Sequence, residues 1–314
     1  MKMPVQTVSG PIPVEKLGRT SIHEHIICGT PLFFKSFGQR WMRDETIEER
    51  AVAQLTAAAR RYGLKTIVDG TPFALSRDVK LLKKISLASG VNIVASTGFF
   101  TVSEGLYEVP AEILAEYFID ECENGIEGTG IKPGFLKCAT DPQSDLRSVE
   151  IMAQVQKQTG LPLFAHSDSA AKTGLKQLAV FEKTGANPER IVIGHVGDAH
   201  DASYPGELLK HGCCVSIDRL YQREDIAAKA EMIAELADKG WLERIVLGHD
   251  DICCKKEGNL RQLARTGAAP EESVFDRIGS TLLPELKKRG FSDADIGVML
   301  ETNPARLFEG CKGE

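Results

Sequence analysis

Two histidines separated by one residue, His23 and His25 in "RTSIHEHI", are the first residues whose types and spacing could do chemistry. On a strand, residues i and i+2 point to the same face. Both imidazoles can then reach one ion while Glu24 points the other way. The helical HExxH metal motif needs i,i+4 spacing and is a different pattern. Three more histidines close apolar runs: His166 in "LPLFAHSD", His195 in "RIVIGHVGD" and His249 in "RIVLGHDD", where Asp250 follows directly. Each alone reads as ordinary hydrogen-bonded structure. Five on one rim would be costly to bury without a metal or a counter-charge. Imidazole and carboxylate ligands suit Zn²⁺ or a similar divalent transition metal. One catalytic zinc normally takes three protein ligands. The set His23, His25, His166, His195 and Asp250 therefore asks for two ions and a bridge between them. "GFLKCATD" offers Lys137 for that place. A protonated lysine would be repelled by two cations, whereas a lysine carboxylated by CO₂ would be an anionic, two-oxygen bridge. Taken alone, Lys137 reads equally as a surface or ion-paired lysine.

These residues need elements to hold them. Eight strand-like apolar runs end in polar residues: "RTSIHEH" and the stretches at 65–72, 91–98, 134–141, 161–168, 190–198, 213–218 and 244–251. Helix-like stretches such as 45–63, 76–90 and 225–240 alternate with them, with apolar residues at three- and four-residue spacing and a Gly near the end. Strands alternating with helices imply a parallel sheet. Nearly continuous apolar runs imply strands covered on both faces. Eight such units in about 250 residues fit a (β/α)8 TIM barrel, an α/β fold whose active sites lie at the C-terminal ends of the strands. An open doubly wound sheet would normally carry a Gly-rich phosphate turn after its first strand, and the chain has neither GxGxxG nor GxxxxGK[ST]. The expected organisation is one barrel domain over 1–314 with a short N-terminal extension, 1–19.

A net charge of −6 over 314 residues argues against a nucleic-acid binder, which needs a basic face. No apolar run is long enough to span a membrane, and the N-terminus lacks the apolar core of a signal peptide. The eight cysteines include the vicinal pairs Cys213–Cys214 and Cys253–Cys254, a poor spacing for a disulfide framework. Reduced thiols in a cytoplasmic protein is the simplest reading.

In combination, the motifs resemble the phosphotriesterase family of the amidohydrolase superfamily. The matching pieces run in family order from "TVSGPIPVEKLGRTSIHEHI" (7–26) through "TIVDGTP", "STGFF", "GIKPGFLKCATD", "FAHSD", "IGHVGD", "VSIDR" and "VLGHDD" to "NPARLF" (303–308). The resemblance implies a (β/α)8 barrel with two divalent metal ions, Zn or alternatively Mn, Co or Fe. It implies that His23, His25 and Asp250 hold the buried ion, that His166 and His195 hold the more exposed one, and that Lys137 bridges them as N6-carboxylysine. Lys132 competes with Lys137 but precedes the strand's apolar residues, and Asp251 competes with Asp250. The implied activity is hydrolysis of a lactone or carboxylic ester by a hydroxide shared between the ions. Asp250 would take the proton and pass it to the leaving oxygen, and Asp198 would extend the relay unless it only caps its loop.

Two departures bear on substrate. "STGFF" places Phe100 where the family's lactonases usually carry a tyrosine, while Arg219 matches the lactonase-like branch and otherwise reads as a rim salt bridge. Phe100 and Arg219 would touch substrate. The run 252–273 reads as a long loop whose Lys255, Lys256, Arg261 and Arg265 could meet an anionic substrate, such as a phosphorylated sugar lactone, or merely be a solvated lid. Phosphotriester or phosphodiester hydrolysis is the alternative, and a non-catalytic binding protein on the same fold is a third. The resemblance also implies a homodimer.

Overall fold

In a computed structural model, the chain is described over residues 4–29, 36, 44–102, 104–221, 225–255 and 274–309. A hairpin of β1 (Val5–Thr7) and β2 (Gly10–Ile12) precedes β3 (Arg19–Cys28). There follow α1 (Asp44–Tyr62), β4 (Leu64–Asp69), α2 (Val79–Ser89), β5 (Asn92–Gly98), α3 (Ala111–Asn124) and β6 (Phe135–Ala139). Then come α4 (Arg147–Thr159), β7 (Leu163–His166), α5 (Thr173–Thr184), β8 (Ile191–Ile193), α6 (Ser203–Leu209), β9 (Cys214–Ile217), α7 (Ile226–Asp238), β10 (Ile245–Leu247) and β11 (Ile252–Lys255).

Strands β3 to β11 form one parallel sheet in the order β10-β9-β8-β7-β6-β5-β4-β3-β11. Its two ends belong to the same stretch of chain, which closes the barrel. Between β10 and β11 the backbone already bonds to the first strand: Asp250 N donates to His23 O at 2.9 Å, and His25 N donates to Asp251 O at 3.2 Å. The eighth strand is therefore β10 plus β11 with an interruption at Gly248–Asp251. The expectation that 252–273 is loop is corrected here: 252–255 pair with β3, Ile252 opposite His25. All eight expected strands are present.

The barrel's interior is one layer of Ile22, Val68, Val94, Phe135, Phe164, Val192, Cys214 and Val246, one residue from each strand. Their neighbours in sequence, such as Ile67, Ile93, Leu136 and Ile193, face the helices in the larger core. That division explains the nearly continuous apolar runs, since both strand faces are dry. The N-terminal segment does more than extend the chain: Val5, Val14 and Leu17 join Leu307 and Phe308 in the same inner cluster. With one end of the barrel so filled, the polar residues sit at the other.

Helix ends follow local chemistry. The α2 helix starts at Asp78, whose carboxylate accepts from Leu81 N at 3.0 Å. It stops at Gly90, with φ +70°. Among the described residues no helix is long and apolar enough to cross a membrane.

Candidate metal centre

The first strand contains the key irregularity. Its pairing with β4 shifts register between Ser21 and Glu24. Ile22 joins the inner layer, and His23 and His25 both turn into the barrel. Glu24 turns out, as i,i+2 logic requires. Its carboxylate, fully buried, accepts from His249 N at 3.0 Å and lies 2.5 Å from His249 Nδ1. His249 also accepts from Ile278 N through Nε2 at 3.1 Å. The fifth histidine therefore faces the helical layer and does not join the cluster, which corrects the expectation of five imidazoles on one rim.

The six other residues do come together. His23 Nε2 and His25 Nε2 lie 3.5 and 3.4 Å from Asp250 Oδ1. Lys137 Nζ is 2.8 Å from His23 Nε2. His195 Nε2 is 2.7 Å from His166 Nδ1. One ligand atom each of His23, His195 and Asp250 falls within 4.8 Å of the others. Two ligands at about 2.1 Å from a tetrahedral ion stand about 3.4 Å apart, the spacing of Asp250 from His23 and His25.

Proton positions sharpen the fit. Asp218, at the end of β9, faces His23 Nδ1 at 3.4 Å and His195 Nδ1 at 2.8 Å. Burial pushes the Asp218 carboxyl up, but His195 and His23 outweigh it and hold it well below the usual carboxylate range. An ionised Asp218 accepts a hydrogen bond from each Nδ1–H, leaving both Nε2 lone pairs facing inward. His25 does the same through Thr71 Oγ1 at 2.8 Å, a hydroxyl that itself donates to Ile27 O. His166 Nε2 faces Asp141 Oδ1 at 3.4 Å. With that nitrogen protonated, the lone pairs of His166 and His195 meet at 2.7 Å, an arrangement that needs a cation or a proton between them. Burial and His195 lower His166 to about 4, which disfavours the proton.

Lys137 is fully buried, with its Nζ 4.3 Å from the centre of the Phe164 ring. Burial lowers its pKa to about 8. Gly98, with φ +120°, lets β5 approach: a Cβ there would lie 2.1 Å from the Lys137 carbonyl oxygen. Lys132 lies before β6, outside the cluster, and Asp251 pairs with Arg277.

Arg219 joins two carboxylates. Its Nε donates to Asp250 Oδ2 at 3.2 Å and a terminal nitrogen donates to Asp198 Oδ2 at 2.7 Å. Burial would lower Arg219, but Asp218, Asp198 and Asp250 raise it above its ordinary value. Burial likewise pushes Asp250 up, while His23, His195 and His25 pull it well below the carboxylate range. His195, Arg219 and Asp250 all have left-handed backbone, at φ +61°, +56° and +49°. Non-glycine residues hold that conformation only where surrounding structure enforces it, and such strain clusters at functional sites.

Above the cluster opens a cavity of about 530 Å³, walled by Cys28, Leu75, Phe100, Tyr221 and Ile252 and reached by Arg219. The Phe100 ring centre is 4.9 Å from that of His166. Lys256, Arg261 and Arg265 lie outside the described residues, as does the side chain of Lys255.

The residues not assigned from sequence are Asp218, Thr71 and Asp141, which orient imidazoles. Asp218 carried a signal, a carboxylate closing an apolar run one residue before Arg219. Replacing it by Asn leaves at most one imidazole with a matched acceptor. Asp218→Asn should weaken zinc binding by about 10–100-fold, the usual cost of losing an outer-shell partner, measured by chelator competition. Unchanged affinity would mean that Asp218 does not set the tautomers.

A family model described as the phosphotriesterase family matches residues 3–308. The chain is 31% identical over 331 residues to a phosphotriesterase homology protein of Mycobacterium tuberculosis, covering 97% of each. It is 30% identical over 308 residues to an aryldialkylphosphatase of Saccharolobus solfataricus, covering 95% of this chain and 96% of that one. A solved structure of the phosphotriesterase from Mycobacterium tuberculosis superposes with a TM-score of 0.88 at 30% identity, over 97% of this chain and 98% of the other.

Proposed function

The chain belongs to the phosphotriesterase family, and from that premise we propose that it is a binuclear metal-dependent hydrolase of lactones or carboxylic esters. His23, His25 and Asp250 would hold one divalent ion, His166 and His195 the other, and Lys137, as its carbamate, both. Zinc, or Mn, Co or Fe, suits imidazole and carboxylate donors. Bound there, the ions supply Lewis-acid polarisation and activation of water at neutral pH.

Lys137 fits the bridging role because a carbamate forms only from the neutral amine. The amine nitrogen bonds to the carbon of CO₂ and one proton leaves. Burial that lowers Lys137 to about 8 makes that amine far more abundant near neutral pH than on an exposed lysine.

The observation that carries the substrate class is the placement of Asp250. One oxygen faces the imidazoles of His23 and His25, and the other is held by Arg219, which Asp198 holds in turn. Arg219 stays protonated and so acts as a clamp. Asp250 can accept the proton shed by attacking water and return it to the leaving oxygen. An alkoxide released from a lactone or alkyl ester needs that proton, whereas the aryloxy group of an aryl phosphotriester departs as a stable phenolate. Phe100, Leu75, Tyr221 and Ile252 give the substrate's body an apolar wall.

A second reading, phosphotriester hydrolysis by the same centre, is supported by the identity to the aryldialkylphosphatase. The two separate by kcat/KM on the zinc-loaded protein. Aliphatic lactones are expected to exceed dialkyl aryl phosphates by about 100-fold, or nearly 3 kcal/mol in transition-state binding. The opposite ratio would establish the phosphotriester reading. Absence of any hydrolysis across a broad ester panel would favour a binding protein.

A further inference from the structure

Lys229 is the one fully buried lysine among the described residues besides Lys137, and no step above uses it. It projects from α7. Its Nζ donates to Asp198 Oδ1 at 3.0 Å and to the main-chain oxygen of Asp218 at 2.9 Å. It thus ties the turn after β8 to the end of β9. Gly197 packs beside it: a Cβ there would stand 3.4 Å from Lys229 Cδ and Nζ, at van der Waals contact. Burying a lysine head is expensive unless it is paired and hydrogen-bonded. An apolar side chain of the same length would fill the space without that cost, so the ammonium group needs a reason.

The charges supply one. Asp198 and Asp250 flank Arg219 with two negative charges against one positive. Lys229 makes the set neutral and occupies the Asp198 oxygen that Arg219 does not. Without it, Arg219 is the one remaining partner of the Asp198 carboxylate among the described residues and is drawn away from Asp250, its longer contact at 3.2 Å. The second bond acts on the residue before Arg219, because Asp218 orients both His23 and His195.

We propose that Lys229 is a positioning residue that fixes Asp198 and the end of β9, and through them sets how Arg219 holds Asp250 in the metal centre. This rests on the hydrolase reading for its effect on turnover, but not for its effect on metal binding. Two readouts therefore test it. Lys229→Met should lower kcat by about 30-fold with KM changed less than about 3-fold, and should weaken zinc binding by about 10-fold in chelator competition, as loss of outer-shell support does.

A merely structural lysine would act equally in any background, so the cycle with Asp198→Asn decides. In the Asp198→Asn protein, adding Lys229→Met should cost clearly less in kcat than in the wild type, because one of the two groups it acts through is already neutral and only the bond to the Asp218 main-chain oxygen remains to be lost. Equal losses in both backgrounds, or wild-type kcat and metal affinity in folded Lys229→Met, would overturn the proposal. Lys229→Gln, which keeps a donor without the charge, covers the case in which the Met variant does not fold, and failure of both variants to fold makes Lys229 a core residue and ends the proposal. If the wild-type protein hydrolyses no ester yet zinc affinity falls as expected and the cycle is non-additive in that affinity, the hydrolase reading fails while the role of Lys229 stands.

Discussion

Lys137→Ala is expected to lower turnover by at least about 1000-fold and to reduce zinc from two ions per chain to one or none. Lys137 is the lysine of the cluster, buried beside the imidazoles. It touches His23 directly, and its Nζ lies over Phe164, the ring packed against His23 and His195. On the proposed reading, alanine would remove the bridging group and leave the positive charges of two bound ions to repel across the gap. A 1000-fold loss corresponds to about 4 kcal/mol of transition-state stabilisation, in keeping with a lost ion. Metal analysis and single-substrate kinetics check it, and a Lys137→Ala protein that retains two ions and turns over normally would remove Lys137 from the centre.

A pH test needs no metal. In chelated protein Lys137 titrates near 8 instead of its ordinary 10.5. Between those values the unfolded chain binds the extra proton and the folded chain does not. Stability therefore rises with pH across that window. Below about pH 8 both states are protonated, and the full cost of burying the charge is felt. In Lys137→Met the rise attributable to this group should vanish. Denaturant unfolding of the two chelated proteins between pH 7 and 10 measures the difference, and parallel curves would show that Lys137 is not held in a charge-disfavouring site.

How much of this was legible depended on whether neighbouring residues spoke for themselves. The HxH spacing predicted two imidazoles on one face and Glu24 on the other, because strand alternation is a local rule. Eight polar strand ends predicted the barrel, because strands dry on both faces leave an unbroken apolar run. His249 was not legible. Its apolar lead-in matches those of His166 and His195, and only the buried carboxylate of Glu24 on another strand turns it outward. Nor was β11, since the Gly248–Asp251 interruption looks like the start of a loop until its partner strand is known. Left-handed backbone at Arg219 has no signature in residue type, and at His195 and Asp250 only the weak one that His and Asp adopt it more often than most residues. Lys229 did have one: it stands three residues after Ile226 and four before Ile233, so it interrupts the apolar stripe of α7, and both those isoleucines are buried. A lysine on an apolar stripe is a question about its partner, and that partner, Asp198, is distant in sequence.

Asp250→Asn should be nearly as damaging, by about 100- to 10,000-fold in kcat for an aliphatic lactone, but its signature differs from that of Lys137→Ala. Asparagine keeps the volume and one oxygen. If that oxygen stays toward His23 and His25, the amide nitrogen meets the Arg219 guanidinium, donor against donor; if it turns to Arg219, the nitrogen meets the imidazole lone pairs. Either way one side of the centre loses its acceptor, and zinc affinity should fall by about 10–100-fold. At saturating zinc that part is restored and the proton-transfer deficit remains. The deficit should then depend on the leaving group: large for lactones and alkyl esters, whose alkoxides must be protonated, and within about 10-fold of wild type for activated aryl esters, whose phenolates leave unaided. A deficit equal for alkyl and aryl esters at saturating zinc would assign Asp250 to metal binding alone and would remove the argument from Asp250 to a lactone or ester substrate.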